Sequence, residues 1–151
     1  MNRPNETERP GSTRGRKTIL VVDDDGQILE LVVRFLRSHG FRVHAARDGR
    51  EMQSVLAEGG VDLLILETFS DLGQLLCALA AAKLCGLPIV ASMAYLEGGR
   101  TGGGSEASRA ARELTAAGAD LVGANCGAGP REILLTLEKL ALGTALPLAA
   151  F

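Results

Sequence analysis

The run Val61-Asp62-Leu63-Leu64-Ile65-Leu66-Glu67-Thr68-Phe69 constrains the chain most, because it is apolar almost throughout and ends in a carboxylate. Bounded by Gly59-Gly60 and Ser70-Asp71, it predicts a strand buried on both faces, as in the middle of a parallel sheet. Glu67 then falls at the carboxyl rim, where open α/β sheets place their chemistry. The 151 residues and 46% hydrophobic content suit one domain with a proper core. A net charge of -2 gives no electrostatic case for nucleic acid.

Strand and helix signals alternate on either side of that run. Met1 to Lys17 is polar, carries Pro4, Pro10, Gly11 and Gly15, and predicts a disordered leader. Thr18 to Val22 is a buried strand followed by Asp23-Asp24-Asp25, of which Asp25 can cap a helix. In that helix Ile28, Leu31, Val32, Phe35 and Leu36 recur at helical spacing, and Gly40 supplies the stop. Phe41 to Ala46 is a second strand, and Asp48-Gly49 leads into a helix carrying Met52, Val55 and Leu56.

After the central run comes a helix from about Asp71 to Leu84, then a strand from Leu87 to Met93. Glu97 to Gly104 is the most glycine-dense stretch and reads as a flexible linker, with an anion-binding loop as the alternative. Ser105 can cap the helix Glu106 to Ala117, and Asp120 to Asn125 forms a fifth strand. Pro130 opens a last helix with Ile133, Leu134, Leu137 and Leu140 as its stripe, and Leu146 to Phe151 starts a sixth strand. The rhythm predicts one open, doubly wound α/β domain over residues 18–151, with a parallel sheet of flavodoxin-like order 2-1-3-4-5 extended by that sixth strand.

The first part resembles a response-regulator receiver domain. Thr18 to Val22 with the three acids, the helix after them, Gly40-Phe41-Arg42-Val43 and the turn Ala46-Arg47-Asp48-Gly49 carry the likeness, over about residues 17–67. The resemblance implies a weak Mg2+ site at Asp23, Asp24 and Glu67, since hard oxygen ligands would neutralise a transferring phosphoryl group. Glu67 occupies the phosphoacceptor position, one methylene longer than aspartate, which implies a mimic of the charged state. The family's hydroxyl falls at Met93, beside Ser92, and its lysine at Asn125.

The second part is similar to the zinc-dependent homocysteine S-methyltransferases over about residues 61–151. Glu67-Thr68-Phe69, Leu87-Pro88-Ile89-Val90-Ala91 and Gly123-Ala124-Asn125-Cys126 carry that likeness. It implies that Cys126 is one of three thiolates on Zn2+, the other two falling beyond Phe151, and that Glu67 and Asn125 bind substrate. A catalytic zinc needs three protein ligands and one open position.

Each signal has a plainer alternative. Asp23 and Asp24 can form a cap and solvated turn, Glu67 an exposed strand end, and Cys126 a rim thiol without metal. Cys77 and Cys85 read as helix packing, and His39 and His44 as surface or packing residues. The functional expectation is a degenerate receiver-like signalling or interaction module of phosphorelay type, meeting a sensor kinase or output protein, with dimerisation open. A truncated, inactive homocysteine S-methyltransferase is the rival. No signal core or membrane-length run is present, so the cytoplasm is expected.

Overall fold

The computed structural model describes residues 17–23, 25–58, 61–127 and 129–150. The leader lies outside the described residues. The chain divides into two compact units, residues 1–52 and 53–151. Each unit has its own cluster of buried apolar side chains.

In the first unit β1 (Thr18–Val22) pairs in parallel with β2 (Arg42–Ala46), Thr18 opposite Arg42 and Val22 opposite Ala46. The crossover between them is α1 (Gly26–Ser38). Asp25 starts it as expected: one carboxylate oxygen accepts the Gln27 and Ile28 N–H groups at 2.8 and 3.2 Å. The helix ends where Gly40 takes φ +88°, with the Phe41 N–H donating back to the Leu36 carbonyl.

The buried stripe of α1 differs from the expected one. Leu29 and Val33, with Leu36 half-buried, pack on Val21, Phe41 and Val43, while Ile28, Leu31 and Phe35 are exposed. Apolar residues occupy two adjacent stripes of this helix, and a two-stranded sheet covers only one; spacing alone does not choose between them. His39 lies against the exposed Phe35, ring centroids 4.3 Å apart.

Next comes α2 (Gly49–Glu58), which spans the division between the units. Its start is a reciprocal cap: Asp48 accepts the Arg50 and Glu51 N–H groups, and Glu51 accepts the Arg47 N–H.

In the second unit the elements are β3 (Leu64–Phe69), α3 (Leu72–Ala82) with a 3-10 turn Lys83–Cys85, β4 (Ile89–Leu96), β5 (Arg100–Thr101), α4 (Ala107–Ala116), β6 (Leu121–Gly127), α5 (Pro130–Ala141) and β7 (Leu148–Ala150). Strand order is β3-β4-β6-β7, all parallel, with β5 folded back antiparallel on β4. The α/β class with parallel pairing is therefore as the sequence predicts. Its strand order is present as two runs, 2-1 and 3-4-5, the sixth strand lying beside the fifth.

Register shows where the core of this unit sits. Leu64 is opposite Ile89, Leu66 opposite Ala91, Ala91 opposite Val122 and Val122 opposite Leu148. These residues pack, with Met93, Tyr95 and Ala124, against Leu72, Leu75 and Leu79 of α3, the alanines of α4 with Leu114, and Leu140 of α5. They lie on one face of the sheet, because side chains alternate along a strand. Right-handed crossovers between strands laid down in one direction put all three helices on that face.

The central run is consequently not buried on both faces. Leu64 is buried, but Ile65 is 51% exposed, since β3 is an outer strand with helices on one side only. The stripe of α5 is also rotated from expectation: Thr136 is buried at 2% and Leu134 is 64% exposed. Small residues let the helices come close. A Cβ on Gly143 would stand 2.1 Å from the Ser108 carbonyl oxygen of α4. Among the described residues no helix is long and apolar enough to cross a membrane.

Leu114 of α4 is wholly buried. Leu114→Ala is expected to cost about 2–5 kcal/mol and Leu134→Ala less than about 0.5 kcal/mol, read from denaturant midpoints. The Tyr95 hydroxyl is buried without a hydrogen-bond partner, and burial pushes its phenol above the ordinary tyrosine range. The folded chain therefore keeps that proton to higher pH than the unfolded chain, and stability falls as pH rises above about 10. Tyr95→Phe is expected to flatten that fall and, by removing an unpartnered hydroxyl, to stabilise by about 1 kcal/mol, as followed by urea unfolding from pH 7 upward.

Candidate functional site

Parallel strands finish on a common rim, and in the second unit the carboxyl ends of β3, β4 and β6 meet there. Two residues on it have unusual backbones. Thr68 has φ +65° and Cys126 φ +52°, the non-glycine residues in the left-handed region among those described. For a β-branched residue such as Thr68 this conformation is a genuine outlier. The strand ladders are also irregular at this end, with register shifts between Leu66 and Phe69 and between Ala94 and Tyr95.

Asn125 holds these bends together. Its side-chain oxygen accepts the Ser92 hydroxyl at 2.7 Å and the Thr68 N–H at 3.2 Å. Its amide nitrogen donates to the Thr68 hydroxyl at 2.6 Å and stands 3.6 Å from the Cys126 sulfur. Ser92 and Asn125 are both buried. The amide is thus committed to protein partners on both sides, a clasp between β3, β4 and β6. Beyond Cys126 only glycine fits, because a Cβ on Gly127 would lie 2.3 Å from the Tyr95 carbonyl oxygen. The consequence is that Glu67 and Cys126 both stand exposed on this rim.

Sequence reasoning named Glu67, Asn125 and Cys126 but gave no part to Thr68. Ser92 was noticed only as the neighbour of Met93. The alternation along β4 separates the two: Met93 is in the helix-covered core, while Ser92 shares the opposite face with Asn125.

The glycine-dense loop is folded, which corrects its reading as a flexible linker. Thr101 is 2% exposed; its N–H donates to the Ser105 carbonyl, and its hydroxyl accepts the Ser105 N–H. The Gly103 and Gly104 N–H groups donate to the Ser70 and Thr101 carbonyls. Here glycine permits close packing, since a Cβ on Gly103 would meet the Asp71 carboxylate at 2.9 Å. Ser105 is spent in this hairpin, and α4 starts after Glu106 without a side-chain cap.

In the first unit the Asp23 carboxylate accepts the Asp25 N–H at 2.8 Å, closing a local turn. Asp24 lies outside the described residues. Among the described residues no group of three or more His, Cys, Asp or Glu stands close enough to hold a metal ion. Cys77 is on α3 and Cys85 in the turn after it. A helix following β3 runs back from the rim, so these thiols do not join Cys126. The donor set at Cys126 therefore does not fit a three-ligand zinc.

The family described as homocysteine S-methyltransferase matches residues 38–150. The chain belongs to the homocysteine S-methyltransferase family. This family member also has similarity to response regulators. It is 35% identical over 51 residues to the regulatory protein VirG of Agrobacterium fabrum, covering 34% of this chain and 20% of that protein. To VirG of Rhizobium rhizogenes it is likewise 35% identical over 51 residues, 34% of this chain and 21% of the other. The response regulator GtcR of Aneurinibacillus migulanus is 37% identical over 51 residues, 34% of this chain and 21% of its own length. The matches span about a fifth of the length of these curated relatives. Both resemblances read in the sequence are thus present in this methyltransferase-family chain.

If Asn125 is the clasp, Asn125→Ala leaves a buried Ser92 hydroxyl and the Thr68 groups without partners and is expected to cost about 1–3 kcal/mol. Ser92→Ala, which leaves the Thr68–Asn125 bonds in place, is expected to cost about 1 kcal/mol or less. Denaturant midpoints of the two variants check the order.

Proposed function

We propose that this chain is a receiver-like signalling or interaction module of two-component type, which neither accepts a phosphoryl group nor transfers a methyl group. The observation that carries this reading is the carboxyl end of β3. The carboxylate there is Glu67, exposed, and the next residue, Thr68, is held in a left-handed bend by Asn125. A permanent negative charge on the strand end supplies what phosphorylation of an aspartate would supply. The similarity to proteins named as response regulators supports the signalling class. A sensor kinase or an output protein is the partner this reading expects, recognised through the βα units built on β4 and β6.

The second reading is a homocysteine S-methyltransferase without its complete metal set. It is favoured by the family match over residues 38–150 and by the exposed Cys126 thiol. The two readings differ in what the protein carries. Incubation with acetyl phosphate and Mg2+, followed by intact mass measurement, is expected to show no phosphoryl adduct. Metal analysis of the purified chain is expected to show no stoichiometric zinc. A tightly held zinc that disappears in Cys126→Ala would transfer the case to the methyltransferase reading, and an adduct on Glu67 would end the proposal.

A further inference from the structure

The hairpin that follows β4 closes beside a polar group the fold leaves unsatisfied. Tyr95 of β4 is 3% exposed, and its hydroxyl has no hydrogen-bond partner among the described residues. Directly opposite it stands Thr101 of β5, also buried. Residues facing each other across an antiparallel pair project to the same side, with their Cβ atoms about 5 Å apart. Thr101 is therefore part of what keeps water from Tyr95, and a buried hydroxyl without a partner carries the whole cost of its lost hydration.

The hairpin itself is lightly built. β5 has two residues, and five of the eight residues 97–104 are glycine. Gly98, Gly99 and Gly104 take φ between +68° and +82°, and a glycine released from such a turn regains more conformational freedom than any other residue. Fastenings at the margins hold it closed. Lys139 of α5 donates to the Gly98 carbonyl at 2.5 Å from an exposed side chain, and Glu132 accepts the Gly98 N–H at 3.5 Å. The Gly99 carbonyl accepts the Ala107 N–H, and the Gly103 N–H donates to the Ser70 carbonyl, just past the Thr68 bend.

We infer that residues 97–106 form a strap that opens as one unit while the sheet and helices of the second unit stay folded, and that the Tyr95 hydroxyl favours the open form by meeting water there. A bond from an exposed ammonium is a modest fastening, and the glycines raise the entropy of the released strap. Opening of a part while the rest stays folded is the behaviour of segments held by few apolar contacts. The strap also acts on the rim. Opening breaks the Gly103–Ser70 bond, so the stretch that follows Glu67 and Thr68 loses this support when Gly98 leaves Lys139. The hairpin thereby couples α5 to the strand end that displays Glu67, and a ligand that takes Lys139 away from Gly98 shifts the rim toward its released state.

Native-state hydrogen exchange of the whole chain, read amide by amide by NMR where exchange reports the opening equilibrium, is the test. The N–H groups of Thr101, Gly103, Gly104, Ser105 and Ala107 are bonded to the strap or its anchors, and that of Asp120, bonded to the Ile89 carbonyl, reports the sheet. The five strap amides are expected to share one opening constant, at least about tenfold larger than that of Asp120. Leu114→Ala weakens a core that the closed and open forms both retain, and is expected to raise the Asp120 constant about thirtyfold or more without moving that of the strap. Lys139→Met cuts a fastening and is expected to raise the strap constant about three- to tenfold. Tyr95→Phe removes the unsatisfied hydroxyl and is expected to lower it about fivefold. Strap amides that exchange only together with Asp120, that differ among themselves, or that keep their rate in Lys139→Met or in Tyr95→Phe would each overturn the inference. The Tyr95→Phe result is specific, since a phenol that meets water only on global unfolding would slow Asp120 and leave the strap unchanged. Lys139→Met and Tyr95→Phe are conservative in volume and decide the question even if the Leu114→Ala chain fails to fold.

Discussion

The packing of one strand face on three helices is the constraint on which the second unit depends, and β4 is its axis. Ile89, Ala91, Met93 and Tyr95 alternate along β4 and are all buried, while β3 and β6 hydrogen-bond to its two sides. At roughly 25 cal/mol per Å2 of apolar surface removed from water, such alternating burial dominates any single polar contact. It also fixes what the other face can be. A one-residue slip would exchange Met93 for Ser92 in the core, so the register that buries Met93 is the one that presents Ser92 to Asn125.

The rim chemistry therefore follows from core packing two residues away. Once β4 and β6 are in register, Asn125 stands where its oxygen meets Ser92 and its amide reaches Thr68 across the strand ends. The backbone bends at Thr68 and Cys126 let the chain leave the sheet while Glu67 and the Cys126 thiol face solvent. The outcome is a shaped rim that displays Glu67 and Cys126, with the Asn125 amide already satisfied from within.

Much of the fold was legible because its signals are local. Asp25 as a cap, Gly40 as a stop, Asp48-Gly49 as the turn into α2 and Pro130 at the start of α5 act within a turn or two of themselves. What was not legible depends on partners distant in sequence. The choice between Ile28-Leu31-Phe35 and Leu29-Val33-Leu36 on α1, or between Leu134 and Thr136 on α5, is made by the surface a helix lands on, and both stripes of each helix have helical spacing. The folded state of Gly98 to Gly104 depends on Ser70 and Asp71, thirty residues upstream, so its glycines read as slack when they are close-packing devices. The clasp joins positions 68, 92 and 125, and nothing in the spacing of those three announces it.

Strain at the rim is balanced from within the protein. A non-glycine residue in the left-handed region costs about 1–2 kcal/mol, so Thr68 and Cys126 together hold about 2–4 kcal/mol. The three close hydrogen bonds of Asn125 contribute about 0.5–1.5 kcal/mol each, which is of the same size. The bends are thus stabilised by the protein itself and need no bound metal or substrate to persist. Glu67 and Cys126 are therefore displayed on the rim by the chain's own packing and hydrogen bonds.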